Sequence, residues 1–311
     1  MFQLIDRQTI RRPELRKGRL SDPDLLSKTQ ELFDKAAKPS EKSALSRLFS
    51  QVLHDIRMGG AWKRTDEGRL KQTEAMICKY LPGSPCNDVS VLDIGGSDGI
   101  TTVELVAALE KYLGCRVKAY LSDLNLWLER YTLGPLAEYR AVNGEPVMAR
   151  FRCVGLRLVE QRRGGQIGRD FLSRWYLRLG VLRRRLRLNQ RIALVNPAVL
   201  IASNIVLHEL NCLDFDHSLA GRFSVIRASN VLNLGYFRPE QIAHAVENLH
   251  AYLKNGGCLV VSRNADAEGT EIENGSVWLK EPDYMRRVDD FGSGSEVRGI
   301  VDSCRLSNGV R

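Results

Sequence analysis

Short apolar runs and stretches of helical period alternate through two parts of the chain. Val89-Ser90-Val91-Leu92-Asp93-Ile94 reads as a buried strand running straight into Gly95-Gly96-Ser97-Asp98-Gly99. Val103, Val106, Leu109 and Leu113 then share one face of a helix that ends near Gly114. Val117-Lys118-Ala119-Tyr120-Leu121 forms a second strand leading into Ser122-Asp123. Strand, helix and strand with tight connections predict a βαβ unit, hence parallel pairing within a sheet covered by helices. The alternation resumes after residue 203, with strands expected over 204–210 and 223–228. A helix over 238–254 places Ile242, Val246, Leu249 and Leu253 inward, stops at Asn255-Gly256-Gly257, and passes to the strand Cys258-Leu259-Val260-Val261. Strand-like pieces follow at 276–279 and 296–301.

Two regions break this rhythm. Residues 21–80 read as helical, with Ser21 as an N-cap and Leu45, Leu48, Phe49, Val52, Leu53 and Ile56 on one apolar face, before Pro82, Gly83 and Pro85 end the region. The segment 130–202 is too long for an ordinary loop and should carry structure of its own. Its pattern predicts a strand-like piece at 147–159, a helix at 169–188 and another strand-like piece at 191–196. The expected organisation is therefore a helical region 1–82 on the lid or substrate side, an α/β core of 83–129 and 203–311, and an inserted segment 130–202.

Composition narrows the class. A chain of 311 residues, 43% hydrophobic and 27% charged, has the make-up of a soluble globular protein with room for one large α/β domain and additions. No stretch approaches the roughly 20 apolar residues that a membrane-spanning helix needs. Charge rather than an apolar core follows Met1, so a secretory signal is not expected. Seven scattered cysteines without CxxC spacing indicate neither a zinc site nor a disulfide framework, and point to reduced thiols in the cytoplasm. The net charge of +9 is local in origin: residues 150–191 hold 13 arginines, no lysine and only Glu160 and Asp170.

The loop after the first strand is the main chemical clue. In an open α/β sheet, ligands sit outside the carboxyl ends of the strands, and glycines there let the backbone approach them. A dinucleotide fingerprint would need glycines where this chain has Ser97 and Ile100, and a phosphate-cradling loop would need a following GKS or GKT. Both readings fail on spacing. An acid followed by alternating glycines, with Asp93, Gly95 and Gly99 in place and Ser97 for the middle glycine, resembles motif I of class I S-adenosylmethionine-dependent methyltransferases. The helix, Gly256-Gly257 and strand of residues 251–261 resemble the same family. The resemblance implies a Rossmann-like, mostly parallel sheet with helices on both faces, a helical N-terminal extension and an inserted basic α+β segment. It also implies S-adenosyl-L-methionine as cofactor. Asp93, Gly95, Gly96, Ser97, Asp98 and Gly99 would wrap its methionine part, and Asp123 would accept from both ribose hydroxyls, a carboxylate offering two oxygens to two neighbouring donors.

Residues 205–237 further resemble chemotaxis-receptor protein methyltransferases. That likeness places Asn211 near the adenine edge, and Ser229 and Asn230 at the border of the methyl-donor site. It names no general base and no metal ligand.

As a helix, 169–188 aligns Phe171, Trp175, Leu179, Leu182 and Leu186 on one face, with arginines over much of the rest. Three readings remain open: a lid with solvated or paired arginines, a contact with an anionic membrane or anionic substrate, and, less favoured, a nucleic-acid contact. The expected activity is methyl transfer to an O or N of a small-molecule or lipid-like acceptor, in the cytoplasm or peripheral to a membrane. The alternatives are a macromolecule methyltransferase, acting on protein or nucleic acid and docking its substrate through the arginine-rich insertion, and a non-catalytic cofactor-binding scaffold.

Overall fold

Neighbouring positions in the apolar strands serve opposite faces of one sheet. In the computed structural model, Val91, Val225 and Val260 pack with Ile77, Leu105, Val106 and Leu109, whereas Leu92, Ile226 and Leu259 pack with Ile242, Val246, Leu249 and Val301. Strands buried on both faces need apolar residues at successive positions, which is why they read as continuous runs. The structure describes residues 23–54, 56–58, 61–63, 67–81, 89–152, 154–158, 176–267 and 270–304.

The chain divides into two compact units, one of residues 66–124 with 202–311 and the other of residues 1–65 with 125–201. The first unit contains, in chain order, α1 (Lys71–Tyr80), β1 (Ser90–Ile94), α2 (Ile100–Leu113), β2 (Lys118–Asp123), β3 (Ile205–Glu209), β4 (Phe223–Ser229), α3 (Pro239–Tyr252), β5 (Leu253–Ala267), β6 (Thr270–Lys280), β7 (Met285–Phe291) and α4 (Arg298–Ser303). Its seven-stranded sheet has the order β3-β2-β1-β4-β5-β6-β7. The first five strands are parallel, and β6 and β7 add an antiparallel edge. This is a doubly wound, Rossmann-like α/β sheet, and its order reverses between β1 and β4, the position where such sheets open a ligand crevice.

The second unit is built on a five-stranded antiparallel sheet, with strands Val154–Arg157, Pro146–Phe151, Leu136–Ala141, Trp127–Leu133 and Arg187–Ala193 in spatial order. Helices Asp24–Lys35 and Pro39–His54 bury Leu26, Phe49, Val52 and Leu53 against Leu128, Tyr139, Met148 and Ile192 of this sheet. The apolar face read from Leu45 to Ile56 is thus a core face, with Leu48 at its partly buried margin.

Three expectations are corrected. The boundary near residue 82 falls instead between 65 and 66, because α1 buries Ile77 against the α/β sheet and its first backbone N–H groups are capped by Glu273 of β6. The continuous helix over 169–188 does not form within its described part: residues 176–178 and Gly180–Arg184 are helical with a break at Leu179, and strand Arg187–Ala193 begins three residues after Arg184. Residues 169–175, including Phe171 and Trp175, lie outside the described residues. The strand-like piece at 296–301 is instead helix α4, whose Val301 enters the core beside Trp278.

Among the described residues, no helix is long and apolar enough to cross a membrane.

Candidate functional site

The Gly95–Gly99 loop connects β1 to α2 at the point where the strand order reverses, and its conformation explains its composition. Gly95 has φ 68° and Gly99, the N-cap of α2, has φ 84°. These left-handed angles are cheap only for glycine. Gly96 is required for space: a Cβ there would lie 2.2 Å from Leu121 Cδ1, and one on Gly95 would lie 2.9 Å from Val231 Cβ. Ser97 also adopts a left-handed φ of 57°, uncommon for a residue with a side chain.

The loop is pinned from several sides. Gly96 N–H donates to Ser122 O at 3.0 Å, and Ser97 N–H donates to Asp123 Oδ2 at 3.1 Å. Asp98 is buried and accepts from Ile100 N–H at 3.1 Å, serving the start of α2. Ser97 Oγ is buried and has no hydrogen-bond partner among the described residues. A buried hydroxyl left unpaired costs free energy, so a ligand bringing a polar atom to this loop would recover it.

Asp93 sits beneath the loop and is only 1% exposed. Arg227, its neighbour in register on β4, grips it with both prongs: Nε donates to Oδ1 at 2.8 Å and Nη2 donates to Oδ2. Thr102 Oγ1 also donates to Oδ2, and Arg227 Nη2 reaches Thr101 Oγ1 at 3.1 Å. One guanidinium therefore joins β1, β4 and the first turn of α2, the three elements that frame the loop. Asp93 holds the loop in place rather than presenting a carboxylate to solvent. Sequence reasoning missed Arg227, and the available signal was a charge within the otherwise apolar run 223–228.

Asp123 is half-buried at the carboxyl end of β2, and the exposed Leu124 follows it. Ser229 ends β4 and shares a hydrogen bond with Ser262 of β5 at 2.7 Å, and Ser262 in turn accepts from Thr73 of α1 at 3.0 Å. Asn230, with φ 62°, exchanges two hydrogen bonds with Asn264: its Nδ2 donates to Asn264 Oδ1 at 3.1 Å and its Oδ1 accepts from Asn264 N–H at 2.8 Å. Asn211, beyond β3, spends its side chain on its own turn, accepting from Leu213 N–H and donating to Asp214. All ten expected positions thus lie at or just beyond the carboxyl ends of β1 to β4. Asp93 and Asp98 face inward, and Asn211 is locally engaged.

A cleft of about 480 Å³ opens beside the end of β5, lined by Arg69, Gln72, Asn264, Ile272 and Glu273 among others. Asn264 joins it to Asn230. Glu273 is committed to α1, whose Gln72 and Thr73 N–H groups its two oxygens accept, both at 2.9 Å. Glu104 accepts from Gly68 N–H of the cleft lining at 2.8 Å; burial pushes its carboxyl up, with that hydrogen bond and Lys71 opposing the rise.

No protein-family model and no curated protein matches this chain. Solved structures do. One is described as the citrinin polyketide synthase CMeT domain (TM-score 0.34, 12% identity, 75% of this chain and 41% of that one). Another is the trans-methyltransferase CalH in complex with SAH (0.32, 15%, 79% and 55%). A third is the geranyl diphosphate C-methyltransferase from Streptomyces coelicolor A3(2) in complex with Mg2+, geranyl diphosphate and S-adenosyl-L-homocysteine (0.28, 13%, 62% and 46%). The chain spans less than two thirds of the length of each. The fold assignment rests on strand order and direction.

Proposed function

We propose that this chain is an S-adenosylmethionine-dependent methyltransferase that binds its cofactor across the carboxyl ends of β1, β2 and β4. The observation that carries this reading is the Gly95–Gly99 loop at the sheet's reversal point, with the buried, unpaired Ser97 Oγ inside it and Asp123 beside it. Gly95, Gly96 and Ser97 would meet the methionine part, and Asp123 the ribose, with Leu124 offering apolar surface next to it. Asp93 enters through Arg227, as the anchor of the loop. When bound, the cofactor supplies an already activated methyl group on a sulfonium. The protein's part is then to position the acceptor and exclude water, effects worth effective molarities of roughly 10⁵ M or more.

The acceptor in this reading is an O or N of a small-molecule or lipid-like compound entering past Asn230 and Asn264. The Asn230 amide cannot act as a base, so it borders the donor site. The likeness to chemotaxis-receptor methyltransferases supports cofactor contacts at Ser229 and Asn230 and gives no substrate. Methylation of a macromolecule, and a scaffold that binds cofactor without turnover, are the competing readings.

Calorimetric titration of S-adenosylmethionine and its demethylated product tests the proposal. Micromolar binding to the wild type is expected, weakened ten-fold or more by Asp123→Ala, about 1.4 kcal/mol. Asp123→Asn keeps an oxygen for Ser97 N–H and removes the charge, which separates loop support from ribose recognition. Wild-type protein that bound neither compound would remove the proposal.

A further inference from the structure

We infer that the antiparallel-sheet unit carries a docking surface for an anionic membrane, formed by residues 176–188 and the sheet end beside them. This rests on that unit alone and stands apart from the cofactor reading. Residues 176–193 contain six arginines and no lysine, aspartate or glutamate. The segment is anchored from below: Tyr176 hydroxyl donates to Glu138 at 2.7 Å, and Arg183 grips the same fully buried carboxylate at 2.7 and 3.2 Å. Leu177 and Leu179 pack beside Leu136 on that side of the sheet. With these groups turned inward, the outward side is left to Arg178, Val181, Arg184 and Arg185, all exposed. Val181, Arg184 and Arg185 follow the i, i+3, i+4 spacing that places residues on one side of a helical turn.

The sheet register adds apolar residues next to this charge. Leu133 lies opposite Leu136, Leu136 opposite Phe151, and Leu188 opposite Tyr131. Positions 131 and 133 share a face, so these side chains form one surface at one end of the sheet. Val181 is 74% exposed, Phe151 54%, Leu188 50% and Leu133 38%. Arg183 and Arg191 are paired with Glu138 and Glu129, whereas among the described residues no acid pairs with Arg178, Arg184 or Arg185; these select an anion, and the interspersed side chains decide which one. Val181, Leu188 and Leu133 are aliphatic, and Phe151 is a single ring rather than the series of rings on which successive nucleic-acid bases stack. They do offer what the headgroup and acyl boundary of a bilayer accepts, while each basic residue near an anionic leaflet adds about 1 kcal/mol.

The test is co-sedimentation of the full chain with vesicles of phosphatidylcholine alone or with about 30% phosphatidylglycerol. Binding is expected only to the anionic vesicles, weakened by about 0.5 M salt. Reversing Arg178, Arg184 and Arg185 to Glu should lower partitioning roughly tenfold or more. Val181→Asp should also weaken it, which simple counterion exchange would not produce. An unchanged thermal transition would show that these exposed substitutions leave the fold intact. Equal binding to neutral vesicles, no binding to either, or an unaffected triple variant would each overturn the inference. Salt-sensitive capture of a single-stranded oligonucleotide without vesicle binding would assign the surface to nucleic acid instead.

Discussion

Arg227 governs more of the candidate site than any residue within the loop itself. It is fully buried, and its guanidinium satisfies both oxygens of Asp93 while touching Thr101. A paired buried charge adds little net stability compared with an apolar pair, but removing one partner strands the other without water or countercharge. Arg227→Leu is therefore expected to destabilise the α/β unit by roughly 3–5 kcal/mol in urea denaturation. The double variant with Asp93→Leu should recover a large part of that loss, since no lone carboxylate remains. A single-variant loss below about 1 kcal/mol would mean that Asp93 finds another partner.

At the scale of elements, legibility followed local periodicity. The β1–α2–β2 unit, β4 and α3 appear within one or two residues of the expected bounds, because strands buried on both faces and one-sided helices leave unambiguous patterns. The loop was legible for a different reason, since its glycines answer local demands of angle and space. The inserted sheet was not legible. Leu179, Leu182 and Leu186 fit a helical period, yet from Leu186 to Ile192 the same stretch also partly alternates, and pairing with strand Trp127–Leu133 decides for the strand. Strand Leu136–Ala141 hides a fully buried acid, Glu138, which no apolar pattern marks. Arg227 and Asn264 escaped notice because their roles depend on cross-strand register.

Glu138 gives this element a pH signature. Burial alone would raise its carboxyl, but hydrogen bonds from Arg183, Tyr176 and Arg140 outweigh that and hold it below the ordinary glutamate value of 4.5. A group depressed in the folded state contributes fully above its unfolded pKa, and that contribution is lost as pH falls through the folded value. The antiparallel unit should therefore lose stability as pH drops below about 4.5, followed by urea midpoints at successive pH values. Glu138→Gln should be less stable at neutral pH and should show a flatter acid limb. An acid limb as steep in the variant as in the wild type would show that Glu138 is not its source.

The whole molecule is two cores on one chain. After β2 the chain leaves the α/β unit at residue 124 and returns at residue 202, so an entire second unit occupies the place of the crossover that a parallel β2–β3 pair requires. Each unit buries its own apolar cluster, one around Phe49, Leu53 and Tyr139, the other on both faces of the seven-stranded sheet. Separate cores predict separate unfolding events, because cooperativity extends only as far as shared packing. Scanning calorimetry should resolve two transitions. A ligand that binds only the native α/β unit stabilises that unit alone, by about 2.7 kcal/mol at a hundred times its Kd. S-adenosylmethionine should thus raise one Tm and leave the other in place, while acid should lower the other first, through Glu138. A single transition that moved as one under both treatments would show that the units fold as one cooperative body, and that a ligand at the Gly95–Gly99 loop also stabilises the arginine-rich sheet.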